Sequence, residues 1–139
     1  MIFDFITNIF SDHSVVTAES GTEIGYPETI EKEYYISELP DGFILGNTIR
    51  NDVSINISFL NDDKYILFSQ YTKSVYEETF DNEKSGFEKI CDETEQEYLM
   101  ISTGADISFI WDNGEYVLQI VSNLNKEDTL KMCKSTKMK

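Results

Sequence analysis

The chain predicts an α+β fold. It reads as a curved antiparallel sheet of about six or seven strands, with a C-terminal helix packed on one face and a short N-terminal helix. Three observations carry this. Val53-Ser-Ile-Asn-Ile-Ser-Phe-Leu60 alternates, with Val53, Ile55, Ile57 and Phe59 on one side and Ser54, Asn56 and Ser58 on the other. That period of two marks a sheet with one wet face. Ile107 to Ile120 reads as a β-hairpin folded at Asn113-Gly114, because these residues tolerate the positive φ of a type I′ turn. A loop one residue longer, taking in Asp112, is the alternative. Finally, Ser122 to Ser135 reads as a short helix capped by Asn125, with Glu127 and Asp128 in its first turn and Lys134 and Lys137 in its last. That charge order complements the helix dipole.

The other elements follow along the chain. Ile2, Phe5, Ile6 and Ile9 stand at helical spacing and predict the short N-terminal helix. Residues 11–31 are polar and irregular, with an edge strand near Ser14-Val-Val-Thr17. Residues 1–30 are therefore set apart from a domain at 31–139. Glu33 to Ser37 is a short strand, and Leu39-Pro-Asp-Gly42 suits a type I turn, in which Pro presets φ. Phe43 to Arg50 continues as a strand, weakened or bulged at Gly46. Asn61-Asp-Asp-Lys64 closes a hairpin from the alternating strand to Tyr65-Ile-Leu-Phe-Ser-Gln-Tyr71. Ser74 to Phe80 and Phe87 to Cys91 read as strands around an acidic loop, and Glu97 to Ser102 as another. In the hairpin, Ile107, Phe109 and Trp111 share a face, as do Tyr116, Leu118 and Ile120. In the C-terminal helix, Leu130 and Cys133 point inward, with Leu124 just before the cap.

Composition bounds the function. With 139 residues and 40% hydrophobic content, the chain forms one domain with a core of its own. The formal charge is −15, and residues 126–139 invert the sign with five lysines against two acids. An acidic body repels phosphate backbones, which argues against nucleic acid as a partner. It equally disfavours direct adsorption to anionic lipid. Cys91 and Cys133 match no metal spacing and read as free thiols packed as small hydrophobes, a bridge between them requiring an oxidising compartment. The apolar stretch Met1 to Phe10 is too short to span a bilayer and contains Asp4, so any membrane attachment uses an anchor outside this chain.

Catalytic constellations are thin. His13 is the one histidine, which argues against a histidine triad or a histidine-rich metal site. The acid pairs Glu77-Glu78 and Asp62-Asp63, and the run Glu93, Glu95, Glu97, arise by chance among 26 acids. Asn61-Asp62-Asp63 has oxygen ligands for calcium but no EF-hand loop around it, and a turn explains it without a metal. No cofactor and no catalytic residue are expected. The candidate contacts for a ligand or partner are the aromatics Trp111, Tyr116 and Tyr71; an aromatic lying across a hairpin onto the core is the structural alternative.

Several segments resemble a known family. Tyr34-Tyr-Ile-Ser-Glu-Leu-Pro-Asp-Gly-Phe43 is similar to its "Tyr…Ile-Pro-Glu-Gly-Tyr/Phe" opening, and Ile66-Leu-Phe-Ser-Gln-Tyr71 to its strand ending in Ser-Gln. Phe109-Ile-Trp-Asp-Asn-Gly-Glu-Tyr116, followed by Ser122-Asn-Leu-Asn-Lys-Glu-Asp-Thr-Leu130, resembles its "Ile-Trp-x-Asn-Gly-x-Tyr … Gly-Asn-Leu-Ser-Lys-Glu-Glu-Leu". In this order they resemble domain-of-unknown-function family 4367, over about residues 30–137. Ser122 departs from the usual glycine and Asn125 from the usual serine cap. The resemblance implies an uncharacterised domain of Gram-positive bacteria, held outside the cell by one membrane helix, and transfers no catalytic residue. The segment Phe3 to Phe10 resembles the juxtamembrane part of such proteins. The expected function is non-catalytic sensing or binding of a protein partner. The alternative is carriage of a lipid or other apolar small molecule in the concavity of the sheet.

Overall fold

A computed structural model of the chain describes residues 27–74 and 87–139. The N-terminal helix, the edge strand near residues 14–17, His13, Glu77-Glu78 and most of the strand read over residues 74–80 lie outside them.

The elements in chain order are β1 (Tyr34–Ile36), β2 (Ile44–Arg50), β3 (Ser54–Asn61), β4 (Lys64–Thr72), β5 (Phe87–Cys91), β6 (Glu97–Ser102), β7 (Ile107–Asp112), β8 (Tyr116–Ser122), α1 (Lys126–Lys134) and β9 (Thr136–Met138). Seven strands form one antiparallel sheet in the order β2-β3-β4-β8-β7-β6-β5. It consists of two meanders, β2 to β4 and β5 to β8, joined where β4 pairs with β8. The fold is α+β with the helix at the C-terminal end, as the sequence predicts.

Alternation places Ile57 and Phe59 of β3 on the same face as Ile66 and Phe68 of β4, Leu118 and Ile120 of β8, Phe109 and Trp111 of β7, and Tyr98 and Met100 of β6. This face carries the core, and α1 closes it with Met132 and Cys133, 1% and 2% exposed. Leu124 and Leu130 pack against the same cluster, as predicted, while Met132 and Thr129 add inward contacts that the sequence reading leaves out. Burial pushes the Cys133 thiol well above its ordinary pKa, and neither cysteine is bridged.

The ends of the domain depart from the expectation. β1 does not join the large sheet; it pairs antiparallel with β9, Tyr34 opposite Met138 and Ile36 opposite Thr136. This ribbon lies on the core face. Gln70, 1% exposed, accepts from the Tyr34 amide at 3.1 Å and donates to the Lys32 carbonyl at 2.8 Å. The Tyr116 hydroxyl accepts from the Glu31 amide at 3.0 Å. α1 stops at Lys134, so Lys137 belongs to β9 and not to the last helical turn. The hydroxyls of Ser135 and Thr136 donate to the carbonyls of Met132 and Cys133 at 2.8 and 2.9 Å, satisfying groups a longer helix would have used.

At the other end of α1, Asn125 accepts from the Asp128 amide at 2.7 Å, the predicted cap. Asn125→Ala is expected to cost about 1 kcal/mol in urea denaturation, with faster amide exchange in the first turn of α1. An unchanged midpoint would show that tertiary packing alone fixes the helix start.

The β7–β8 turn is not type I′. Among the described residues outside glycine, positive φ occurs at Asp62 and Glu95 but not at Asn113, while Gly114 has φ of 105°. The loop is Asn113-Gly114-Glu115, and the Asn113 side chain accepts from the amides of Glu115 and Tyr116 at 3.0 and 2.9 Å. This Asx arrangement takes over what a second positive φ would have done.

The far face is mixed. Along β3 it is polar from Ser54 to Ser58, with Ser69 of β4 donating to Asn56 at 2.7 Å, and apolar again at Leu60 and Leu67. Across β6 to β8 it buries Leu99, Ile110 and Val117, which are 0%, 2% and 2% exposed. Beside them Lys73 Nζ stands 3.0 Å from Asp112 Oδ1, both side chains buried.

Candidate binding edge

Among the described residues β2 ends the sheet on one side, and it is exposed along its whole length. Its sequence, Ile-Leu-Gly-Asn-Thr-Ile-Arg, is nonetheless apolar at Ile44, Leu45 and Ile49, which are 69%, 62% and 61% exposed. Leu60 of β3, 46% exposed and directly opposite Ile44, enlarges the patch. Long apolar edges are usually blunted by charge or proline, so this one is informative.

The register explains how the patch forms. Leu45 pairs with Phe59 and Asn47 with Ser58, so Gly46 is the extra residue of a β-bulge. In a regular strand Ile44 and Ile49 would point to opposite faces. The bulge resets the alternation and brings both onto the far face with Leu60, while Leu45 points to the helix face beside Phe59. Glycine suits the site because a Cβ there would meet Ser58 Oγ at 3.0 Å and Leu60 Cδ1 at 3.1 Å. Ser58 Oγ also accepts from the Asn47 amide at 3.0 Å, replacing a ladder bond the bulge disrupts.

Polar groups frame both ends. At the start of β2 lie Asp41 and, across the β3–β4 turn, Asp62 and Asp63, all exposed. At its finish, Asn51 Oδ1 accepts from the amides of Val53 and Ser54, both at 2.9 Å, and fixes a tight turn. The Ile30 amide donates to the Asp52 carbonyl at 2.7 Å. Between these segments a cleft of about 530 Å³ is lined by Thr29, Ile30, Glu33, Arg50, Asn51, Asp52 and Ile55. Arg50 donates there through both terminal nitrogens to the Glu33 carboxylate, which also accepts from Lys139 Nζ at 3.2 Å. The bond from Arg50 holds the Glu33 carboxyl below its ordinary range and raises the Arg50 guanidinium in turn.

The aromatics singled out from the sequence do not meet at a surface. Trp111 is 3% exposed, its ring 5.3 Å from that of Tyr98. Tyr116 is fully buried with its ring 6.1 Å from that of Tyr34. Tyr71 is half-buried on the far face, its hydroxyl 3.5 Å from Asn56 Oδ1. Several of the acids are engaged in turns and pairs. Glu93 bonds Lys134 at 2.9 Å, and Glu97 bonds Lys89 at 3.4 Å. Asp92 accepts from Thr94, Gln96 and Tyr98; burial works against its ionisation, and these bonds outweigh it and lower the carboxyl. Asp106 accepts from the Tyr65 hydroxyl at 2.6 Å, and burial together with that bond pushes Tyr65 up to about 12. Among the described residues no group of three or more His, Cys, Asp or Glu converges as a metal site would require, and no helix is long and apolar enough to cross a membrane.

The edge itself is legible in one respect only. Phe43 to Arg50 lacks a period of two, which a bulged strand produces, but nothing local states that it lies outermost.

The family model described as "Domain of unknown function (DUF4367)" matches residues 33–135, from the start of β1 to the end of α1. No curated protein matches the chain.

Proposed function

The chain belongs to the DUF4367 family, and on that premise we propose that it is a non-catalytic binding or sensing domain that engages a protein partner through the β2 edge. The observation that carries this reading is the exposure of Ile44, Leu45, Ile49 and Leu60 along a strand that, among the described residues, is paired on one side only. Exposed apolar surface on a stable sheet is retained where something covers it in use. The engagement of Asp92, Asp106, Glu93 and Glu97 in structural bonds supports a role without catalysis. We place the domain at the extracytoplasmic face of a Gram-positive cell, behind a membrane anchor outside this chain; the likeness of Phe3 to Phe10 to a juxtamembrane segment supports this. The carrier reading needs a vacant core face. Here Met132, Cys133, Tyr34 and Ile36 pack against that face, which favours the edge over the concavity.

One experiment tests location and binding together. The full-length protein carries Ile49→Cys in a Cys91→Ser background, and intact cells of its host receive a membrane-impermeant thiol cross-linker. We expect labelling without lysis and a cross-linked protein adduct. Labelling only after lysis would overturn the location. Labelling without an adduct would overturn the binding edge.

A further inference from the structure

We propose that the occupant of the β2 edge is an extended peptide segment with alternating apolar side chains in its middle and Lys or Arg at both ends, added to the sheet as a further strand. This rests on the reading of β2 as the binding edge and deepens it by naming the partner's chemistry.

The backbone argument comes first. Among the described residues no strand pairs with the outer side of β2, so a row of amide and carbonyl groups is available there. A peptide that lies along such an edge gains main-chain hydrogen bonds, and its alternate side chains read the neighbouring pockets. The seven residues of β2 span about 23 Å, which sets the length of the matching segment. Both faces of the edge offer apolar contacts, Ile44, Ile49 and Leu60 on the far side and Leu45 on the helix side.

Charge then selects among occupants. At the start of β2 the exposed acids Asp41, Asp62 and Asp63 outweigh Lys64, the nearby base among the described residues. At its finish Asp52, Glu28 and Glu31 are exposed, while the cations Arg50 and Lys139 both lean on Glu33. A strand laid along β2 in either direction therefore meets negative charge at both of its ends. Basic ends are attracted and acidic ends repelled. The same field weighs against a second copy of this chain, which carries −15 of its own.

The test uses the whole 139-residue chain, labelled for amide NMR, and two synthetic seven-residue peptides. One alternates Thr and Val between pairs of terminal lysines; the other has glutamates in place of the lysines. We expect the lysine peptide to bind at least about tenfold more tightly, to weaken as salt is added, and to shift amides of Ile44 to Arg50. Ile44→Lys combined with Ile49→Lys should reduce its binding by about tenfold or more. Both positions are largely exposed, and unchanged far-field amide shifts would certify the fold of the variant. Equal binding of the two peptides would overturn the charge assignment and leave the edge standing. Failure of both peptides, or binding indifferent to the double substitution, would overturn the edge itself. Sedimentation of the free protein supplies the remaining outcome: a dimer that Ile49→Lys dissolves would make a second copy the occupant and sink the proposal.

Discussion

Lys73→Met is expected to lower the free energy of unfolding by about 3–5 kcal/mol, read from the midpoint of urea denaturation. Lys73 Nζ lies 3.0 Å from Asp112 Oδ1, and the two side chains are only 4% and 6% exposed. The ammonium also donates to the Gly114 carbonyl at 3.2 Å, and Asp112 Oδ1 accepts from the Gly114 amide at 2.8 Å. The pair thus ties the chain just beyond β4 to the turn between β7 and β8. Methionine keeps the volume but removes the ammonium that faces the buried carboxylate, and breaking one side of a buried pair costs far more than the intact pair gains. The companion variant, Lys73→Met with Asp112→Leu, should recover part of the loss, since no lone charge is then left facing an apolar group, while the Gly114 amide and carbonyl still lose the bonds these side chains supply. Purely local packing at Lys73 would make the two substitutions additive, and additivity in that double-mutant cycle would refute the argument.

Gln70→Leu should cost about 2–3 kcal/mol for a different reason. The two side chains are similar in size, so little volume is lost at this fully buried position. What disappears is the pair of bonds by which Gln70 holds the Tyr34 amide and the Lys32 carbonyl. Both backbone groups then face an apolar side chain, and leaving such groups unsatisfied costs more than the bonds contribute. Because these bonds clip β1 to the large sheet, the effect should be local as well as global. Hydrogen exchange at Tyr34 and Ile36 should accelerate more than at Phe68 or Ile120, which sit in the sheet. Uniform acceleration, or a loss under about 0.5 kcal/mol, would show that the β1–β9 ribbon holds its place without the clip.

The parts of the fold legible in the sequence are those with a local cause. β3 declares itself by strict alternation, β7 and β8 by paired apolar faces around Asn113-Gly114, and α1 by its cap and charge order. Each depends on residues within a few positions of one another. The parts that escape depend on distant partners. Three residues at Tyr34–Ile36 are strand-like in composition, but only the position of Thr136–Met138 decides that they pair there and not in the sheet. β9 escapes for the same reason, since Lys137 continues a helical charge pattern until Ser135 and Thr136 turn their hydroxyls onto the last carbonyls. The candidate edge escapes because strand order, not local pattern, makes β2 outermost among the described strands. Trp111 and Tyr116 illustrate the converse: conspicuous in composition, they are core residues because each lies opposite an apolar strand and under the ribbon or the helix.

The β1–β9 pairing also sets how the domain meets tension. Tyr34 lies opposite Met138, and the Lys139 amide donates to the Glu33 carbonyl at 2.8 Å, so the chain arrives and departs side by side. A pull on those two points opens an antiparallel ribbon from its end, breaking its bonds one after another rather than all at once. On the C-terminal side the ribbon stands between that pull and α1, whereas on the N-terminal side residues 30–32 bond directly to Asp52, Tyr116 and Gln70 of the sheet and its turn. A load arriving through residues 30–33 would thus meet the bonds from Ile30 to Asp52 and from Glu31 to Tyr116 first, and only then unzip the ribbon.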